Sequence, residues 1–382
     1  MKYDYVIVGG GLSASVIARK LADNGKRILI VERRTQLGGN LYDEVDENGI
    51  LVQRFGPHTF HTNNDIVVAF ISKYAEFDSY NMRCETKLDG VITPSPFNFT
   101  TIDQFYSKED AAKLKYKLER AYPLGHGTIV ELLESTDCDI QKYAQMLFDK
   151  DYALYTSKQW GISPREVDPS VLKRVPVEFS YSDRYFHDKF EGLPKGGFMS
   201  LIKNLLDSSN IETLVNEDAL KHISFKENKV LYDNEMTNII FTGQVDELFK
   251  YKYGKLPYRS LKFEYETHNT RSYQSSAIVA YPSHEYKFTR ITEYTKLPFQ
   301  KNDRTVIAKE YPLLFDSATD NEPYYPIPTK ENDITYKKYK TEANKYDNLY
   351  LLGRLAEYKY YNMDQCVLNA LDLALDLESN NY

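Results

Sequence analysis

The sequence predicts an α/β protein: a parallel sheet of the nucleotide-binding kind, interrupted by a helical bundle and by an antiparallel β-sheet. Three observations carry that expectation. The first forty residues alternate short apolar runs with one helical repeat, the stretch from Ser107 to about Tyr155 lacks β-rich runs, and Lys250 to about Pro312 alternates Tyr, Phe, Val and Thr.

Taken in order, Tyr5-Val6-Ile7-Val8 reads as a buried strand ending in Gly9-Gly10-Gly11. Leu12, Val16, Ile17 and Leu21 repeat at helical spacing until Asn24-Gly25 stops them, and Ile28-Leu29-Ile30-Val31 forms a second strand ending at Glu32. Strand, glycine turn, helix and strand make a βαβ unit, which requires parallel strands. In the helical insertion, Ala111, Leu114 and Leu118, then Tyr143, Met146 and Leu147, recur at helical intervals. Ile239-Ile240-Phe241-Thr242-Gly243 returns to the parallel-sheet pattern. Leu261-Lys262-Phe263-Glu264-Tyr265 and Ser276-Ala277-Ile278-Val279-Ala280 read as antiparallel strands. Leu349-Tyr350-Leu351-Leu352-Gly353 closes the parallel sheet and leads into a helix expected to bury Val367, Leu368, Leu371 and Leu375.

Composition sets limits on function. A chain of 382 residues exceeds one domain of roughly 150 residues, so two or three compact units are expected. Lys plus Arg number 48 against 55 Asp plus Glu, a net charge of -7 that leaves no basic excess for a nucleic-acid backbone. Cys84, Cys138 and Cys366 have no paired spacing, which excludes a Cys-based zinc site and fits a reducing, cytoplasmic setting. The best apolar run, Ile66 to Ile71, is far shorter than the roughly 20 residues a bilayer span needs. Nor does the N-terminus carry the apolar segment of a signal peptide. Tyr numbers 33 against 19 Phe and 1 Trp, which suits a wet polar cleft; biased base composition in the source genome would give the same excess.

Gly9-x-Gly11-x-x-Ala14 sits at the strand-to-helix turn, where glycine lets main-chain N–H groups approach a pyrophosphate and the third position packs helix on strand. Glu32 follows Gly11 by 21 residues, the usual distance for a carboxylate that accepts from ribose hydroxyls. The unit is therefore Rossmann-like. Arg33-Arg34-x-x-x-Gly38-Gly39-Asn40 brings a cation and flexible residues back to the same site, and resembles the extended fingerprint of FAD enzymes of the amine-oxidase and hydroxylase type. FAD is thus expected in preference to NAD. The helix starting near Met363 adds a second helix N-terminus that either faces the cofactor or simply closes the sheet.

Seven further blocks resemble the UDP-galactopyranose mutase family. They are Phe55-Gly-Pro-His58-Thr-Phe-His61-Thr62, Tyr155-Thr-Ser-Lys-Gln-Trp160-Gly161, Leu172-Lys-Arg174-Val-Pro-Val, Tyr185-Phe186, Thr289-Arg290-Ile, Glu322-Pro-Tyr324-Tyr325-Pro326 and Gly353-Arg354-Leu-Ala-Glu-Tyr358-Lys-Tyr360-Tyr361. The similarity covers the whole chain. It implies a redox-neutral isomerase in which reduced FAD attacks the anomeric carbon of a nucleotide sugar, UDP-galactopyranose first, and returns the furanose. The same resemblance implies UDP-N-acetylgalactosamine or dTDP-fucose as the alternative substrates. An FAD-dependent oxidase is the rival from another class, and a nucleotide-sugar binding protein without chemistry is a third reading.

Expelling a diphosphate builds negative charge on the leaving oxygen, and guanidinium forks match phosphate better than Lys does. Arg174 and Arg290 are the residues expected there. The resemblance implies that Tyr185, Tyr325 and Tyr360 donate to the diphosphate, that Tyr155 sits beside uracil, and that Trp160 covers sugar and flavin. Thr156 and Asn362 complete the implied substrate set. Tyr152 is either another wall for the base or helical core. His58 and His61 lack the further ligands a metal needs, and the resemblance instead puts His61 near the flavin ring with His58 close by. The implied cofactor set is Gly9, Gly11, Leu12, Ser13, Glu32, Arg33, Gly39 and Asn40, with His58, His61, Arg354, Tyr361 and Met363. Asn362 stands where the family has Asp, Met82 where Asn is expected, and Pro57 for a frequent Ala; these departures bear on the sugar.

The expected division is FAD-binding for 1–78, 188–246 and 331–382, β-sheet for 79–99, 173–187 and 247–330, and helical for 100–172, with Trp160 to Arg174 as a lid. A homodimer is inferred from the resemblance.

Overall fold

The computed structural model describes residues 2–161, 175–319, 321–327 and 329–379. Arg174 and nearly all of the expected lid lie outside the described residues. A five-stranded parallel sheet forms in the order Ile211–Val215, Ile28–Glu32, Tyr5–Val8, Asn238–Phe241, Leu349–Leu351. Every residue of Ile28–Glu32 is buried, which explains its unbroken apolar run: helices cover both faces of such a sheet. The strand Ile211–Val215 was not expected from the sequence. It is an edge strand with four exposed residues, so it carries little apolar signal.

Leu12–Asp23 forms the crossover helix and ends at Asn24, followed by Gly25 at φ +76°. Ala14 and Ala18 are buried in this helix, and Ala370 and Ala374 in the C-terminal helix Met363–Ser379 of the same core. Small residues permit close helix packing. The C-terminal stripe is therefore Cys366, Val367, Ala370, Leu371, Ala374 and Leu377, and it corrects one expectation: Leu375 is 54% exposed.

The chain order reverses between Tyr5–Val8 and Asn238–Phe241, so a crevice opens beyond their C-terminal ends. Gly9, Glu32, Thr242 and Gly353 all follow or end parallel strands on that side.

A second sheet has seven strands in the order Tyr325–Pro326, Tyr258–His268, Thr305–Leu314, Arg290–Glu293, Ile278–Ala280, Cys84–Leu88, Val91–Ser95. Its pairings are antiparallel except one: Ile278–Ala280 runs parallel to Cys84–Leu88. That contact joins segments nearly 200 residues apart. The helices Lys108–Ala121 and Cys138–Leu147 pack around Leu114, Leu118, Tyr143 and Leu147 in the inserted bundle, with Ser107 capping the first of them, and the helix Ala153–Trp160 follows. A single π-helical turn, Phe148–Tyr152, joins the last two. A small antiparallel sheet, Phe60–Thr62, Phe190–Pro194 and Phe77–Ser79, holds His61. Among the described residues, no helix is long and apolar enough to cross a membrane.

Candidate active site

Two clefts meet at the C-terminal side of the parallel sheet. One, of about 1220 Å³, follows the glycine turn; the other, of about 2350 Å³, lies between the helical bundle and the seven-stranded sheet. Asn40, His58, Tyr324, Arg354 and Met363 line both, so the clefts adjoin at these residues.

The first cleft brings together Gly9, Gly11, Leu12, Ser13, Glu32 and Arg33, together with Gly39 and the five shared residues. Gly9 has φ +98°, and a Cβ there would stand 2.2 Å from Thr242 Oγ1. A Cβ on Gly39 would lie 3.1 Å from Gly11 Cα, so the two glycine motifs touch. Gly38 N–H also donates to Gly10 O at 2.8 Å. The helix behind this turn starts at Gly11 with no side-chain cap and no acidic residue in its first turn, leaving its N–H groups to an anion. Glu32 is buried; its carboxylate accepts from Gly10 N–H at 2.7 Å and Arg34 N–H at 2.8 Å, which holds the loop around the cleft.

Arg33 and Arg34 part company. Arg33 is exposed and pairs with Glu247 at 3.2 Å, whereas Arg34 pairs with Glu322 at 2.9 Å and lies over the Phe55 ring. Arg34 Nη1 is buried with no hydrogen-bond partner among the described residues. Arg34 is therefore a cleft residue that the motif contained but the sequence reading did not single out. The uncapped helix, glycine contact, buried acid and orphaned guanidinium nitrogen together fit an adenine dinucleotide such as FAD.

The second cleft gathers Tyr152, Tyr155, Thr156, Tyr185, Tyr325 and Arg290, with His61, Tyr360 and Asn362. Arg290 Nε and Nη2 contact Glu310 Oε2 at 2.8 and 2.7 Å, and Glu310 is buried. Burial acts to lower the Arg290 pKa, but the Glu310 carboxylate outweighs it and holds Arg290 above its ordinary value. Burial pushes the Tyr155 and Tyr325 hydroxyls up, so both stay protonated and can donate at neutral pH. Gln159 donates to the Tyr325 hydroxyl, and the Tyr325 and Tyr360 rings meet edge to face at 5.3 Å. Tyr152 combines its two expected roles: it lines the cleft, yet its hydroxyl donates to Val175 O at 3.0 Å. Met82 and Pro57, two of the family departures, also line this cleft.

His61 Nδ1 lies 2.7 Å from Asp188 Oδ2, and the ring stacks on Phe186 with centroids 3.6 Å apart. His58 Nδ1 lies 2.8 Å from Gly56 O. A carbonyl only accepts, so Nδ1 carries the proton and Nε2 is an acceptor. Burial, then the Arg354 charge, brings the His58 pKa down to about 3. The ring should therefore stay neutral from pH 8 to pH 5, with Nδ1–H signals in ¹⁵N spectra. A titration midpoint above pH 5 would contradict this arrangement.

One expected residue stands apart. Tyr361 lines neither cleft; its hydroxyl donates to Glu357 at 2.5 Å, and Glu357 also accepts from Gly353 N–H at 3.0 Å, bracing the loop that carries Arg354. Trp160 ends the helix Ala153–Trp160, and the place of its side chain lies outside the described residues. Asp188, Glu310 and Asp151 were missed by sequence reasoning because none lies in a motif with its partner.

Fold and site together define a Rossmann-like FAD enzyme with a second, cation-bearing cleft beside the first. Comparison with known proteins narrows the class. A family model described as UDP-galactopyranose mutase matches residues 150–360, and one for an NAD(P)-binding Rossmann-like domain matches residues 7–74. The chain is 34% identical to a dTDP-fucopyranose mutase of Escherichia coli, covering 98% of each chain. It is also 34% identical to a UDP-galactopyranose mutase of Mycoplasma pneumoniae, over 98% of this chain and 96% of that one. A crystal structure of reduced UDP-galactopyranose mutase shares the fold at a TM-score of 0.71 and 14% identity, covering 99% of this chain and 94% of that one. A putrescine oxidase shares it at 0.59 and 12%, covering 99% of each. The chain belongs to the UDP-galactopyranose mutase family.

Proposed function

We propose that this chain interconverts the pyranose and furanose forms of a nucleotide-linked sugar, with reduced FAD as cofactor and UDP-galactopyranose as the first substrate. The observation that carries this reading is the junction of the two clefts at His58 and Arg354, beside Arg290 and the tyrosines, in a chain that aligns with 96% of a UDP-galactopyranose mutase. Gly9, Gly11 and the N–H groups of Leu12 and Ser13 would hold the pyrophosphate of FAD. Glu32 would take its ribose; Arg33, Gly39 and Asn40 would border it; His58, Arg354 and Met363 would stand where the clefts meet. When bound, the reduced flavin supplies the nucleophile for the anomeric carbon, so no side-chain nucleophile is needed.

The protein's own residues position and neutralise. Arg290, held in place by Glu310, presents its remaining N–H groups to the departing diphosphate, and Arg174 is assigned the same task by its motif. Tyr185, Tyr325 and Tyr360 add neutral donors that grip the phosphates without adding charge. Tyr155 and Tyr152 would flank the base, Thr156 and Asn362 would border the sugar region, and Trp160 is assigned by its motif to cover sugar and flavin. His61, oriented by Asp188, lines the second cleft and would stand near the flavin ring.

The equal identity to a dTDP-fucopyranose mutase and a UDP-galactopyranose mutase supports dTDP-fucose as a second substrate. Incubating dithionite-reduced protein with UDP-galactose, dTDP-fucose and UDP-N-acetylgalactosamine, and separating the products by chromatography, tests the reading. Furanose from at least one is expected; none from any would overturn it. A cytoplasmic homodimer that supplies cell-surface polysaccharide synthesis, with the segment division given above, belongs to the same proposal.

A further inference from the structure

Asp151 is a carboxylate that the mechanism does not use. It lies in the π-helical turn Phe148–Tyr152, on the wall of the substrate cleft, and such turns recur at functional sites. Its Oδ1 accepts from Thr86 Oγ1 at 2.9 Å, and Thr86 is buried in the strand Cys84–Leu88. Among the described residues no cation pairs with it. Burial pushes the carboxyl up to about 6, with the Thr86 bond acting the other way, so at neutral pH it is ionised and only accepts.

Its place along the cleft follows from the strand register. Arg290 stands opposite Ala280 and Ala280 opposite Thr86, so the Thr86–Asp151 pair lies two strands from Arg290. On the other side of Arg290 come Glu310 and, at the edge of the sheet, Tyr325–Pro326, beside the Tyr324 that lines both clefts. Asp151 is therefore at the end remote from the dinucleotide cleft. With the diphosphate at Arg290, that end receives the nucleoside. Around it the cleft is lined by Pro96, Phe97, Tyr152 and Pro176, and the Phe97 and Tyr152 rings lie 5.9 Å apart. Flat apolar surfaces suit a planar base rather than ribose hydroxyls.

We propose that Asp151 reads the base: its carboxylate accepts the imide N3–H of uracil or thymine. This rests on the nucleotide-sugar reading above. A cytosine, whose N3 is an acceptor, would meet the carboxylate with repulsion.

Calorimetric titration of the FAD-loaded protein with UDP and with 3-methyluridine 5′-diphosphate tests the assignment. The native protein should bind UDP about 10-fold or more tightly than the methylated analogue, the size of one charged hydrogen bond. Asp151→Leu keeps a similar volume, hence the steric cost of the methyl group, and should lower that ratio at least about fivefold. Thr86→Val leaves the carboxylate in place and should preserve the ratio. A ratio near one in the native protein overturns the proposal without any variant. So does an undiminished ratio in Asp151→Leu, or an equal loss in both variants, which would assign Asp151 to bracing the turn on the strand. Native protein that binds no UDP at all would instead count against the nucleotide reading itself.

Discussion

Replacing Arg290 by alanine is expected to lower turnover by about 10²–10³-fold, the loss seen when one preorganised donor to developing charge is removed. The reason lies in the pairing of Arg290 with Glu310. Two guanidinium nitrogens are committed to one carboxylate oxygen, so the remaining N–H groups are held in one direction. The same pairing complicates the simple variant, because alanine leaves the buried Glu310 charge uncompensated, at a cost of about 3–5 kcal/mol. A double variant, Arg290→Met with Glu310→Leu, removes both charges. It should recover most of the thermal stability lost in Arg290→Ala while remaining inactive. Recovery of activity along with stability would show that Arg290 serves the fold and not the diphosphate.

The second large effect concerns the cofactor. In Gly9→Ala the new methyl group would meet Thr242 Oγ1 at 2.2 Å, and that hydroxyl is tied to Val8 O at 2.7 Å. The residue would also have to hold φ +98°, a region costly for alanine. The turn must shift, and the N–H groups behind it shift too. The variant should emerge from desalting nearly colourless, with FAD affinity lowered about 100-fold, an estimate equivalent to two lost main-chain hydrogen bonds to a charged group. Gly11→Ala is the instructive contrast. Its backbone is ordinary, at φ -83°, and the nearest atom to a Cβ is 4.0 Å away. The protein itself should accept that methyl group, so any loss of flavin absorbance there reports directly on how closely the pyrophosphate approaches. A fully yellow Gly9→Ala would contradict the assigned cofactor turn.

Local features were the legible ones. Strand, glycine turn and helix follow one another within about twenty residues, so their periodicities and stop signals survive in the sequence. The bundle was readable for the same reason. The parallel contact between Ile278–Ala280 and Cys84–Leu88 was not, because pairing between distant segments leaves no mark in either. Leu375 shows the limit of helical periodicity: the C-terminal helix turns alanines toward the helix Leu12–Asp23, and a leucine of apparently suitable spacing faces water.

At the site, motifs exposed the residues that face the clefts but not those that hold them. Glu310 lies 20 positions beyond Arg290, and Asp188 lies 127 beyond His61; neither spacing means anything until the chain folds. Tyr360 and Tyr361 look equivalent as letters. In the structure the first lines the second cleft and the second braces Glu357.

The central claim is that the two joined clefts let a reduced cofactor work on a nucleotide sugar without net oxidation. Its most direct test mixes the anaerobic, dithionite-reduced protein with UDP-galactopyranose and follows sugar and flavin absorbance together. Furanose should form while the flavin stays reduced through many turnovers, with no turnover by the oxidised protein. Consumption of the sugar by the oxidised form, with peroxide released in air, would contradict it.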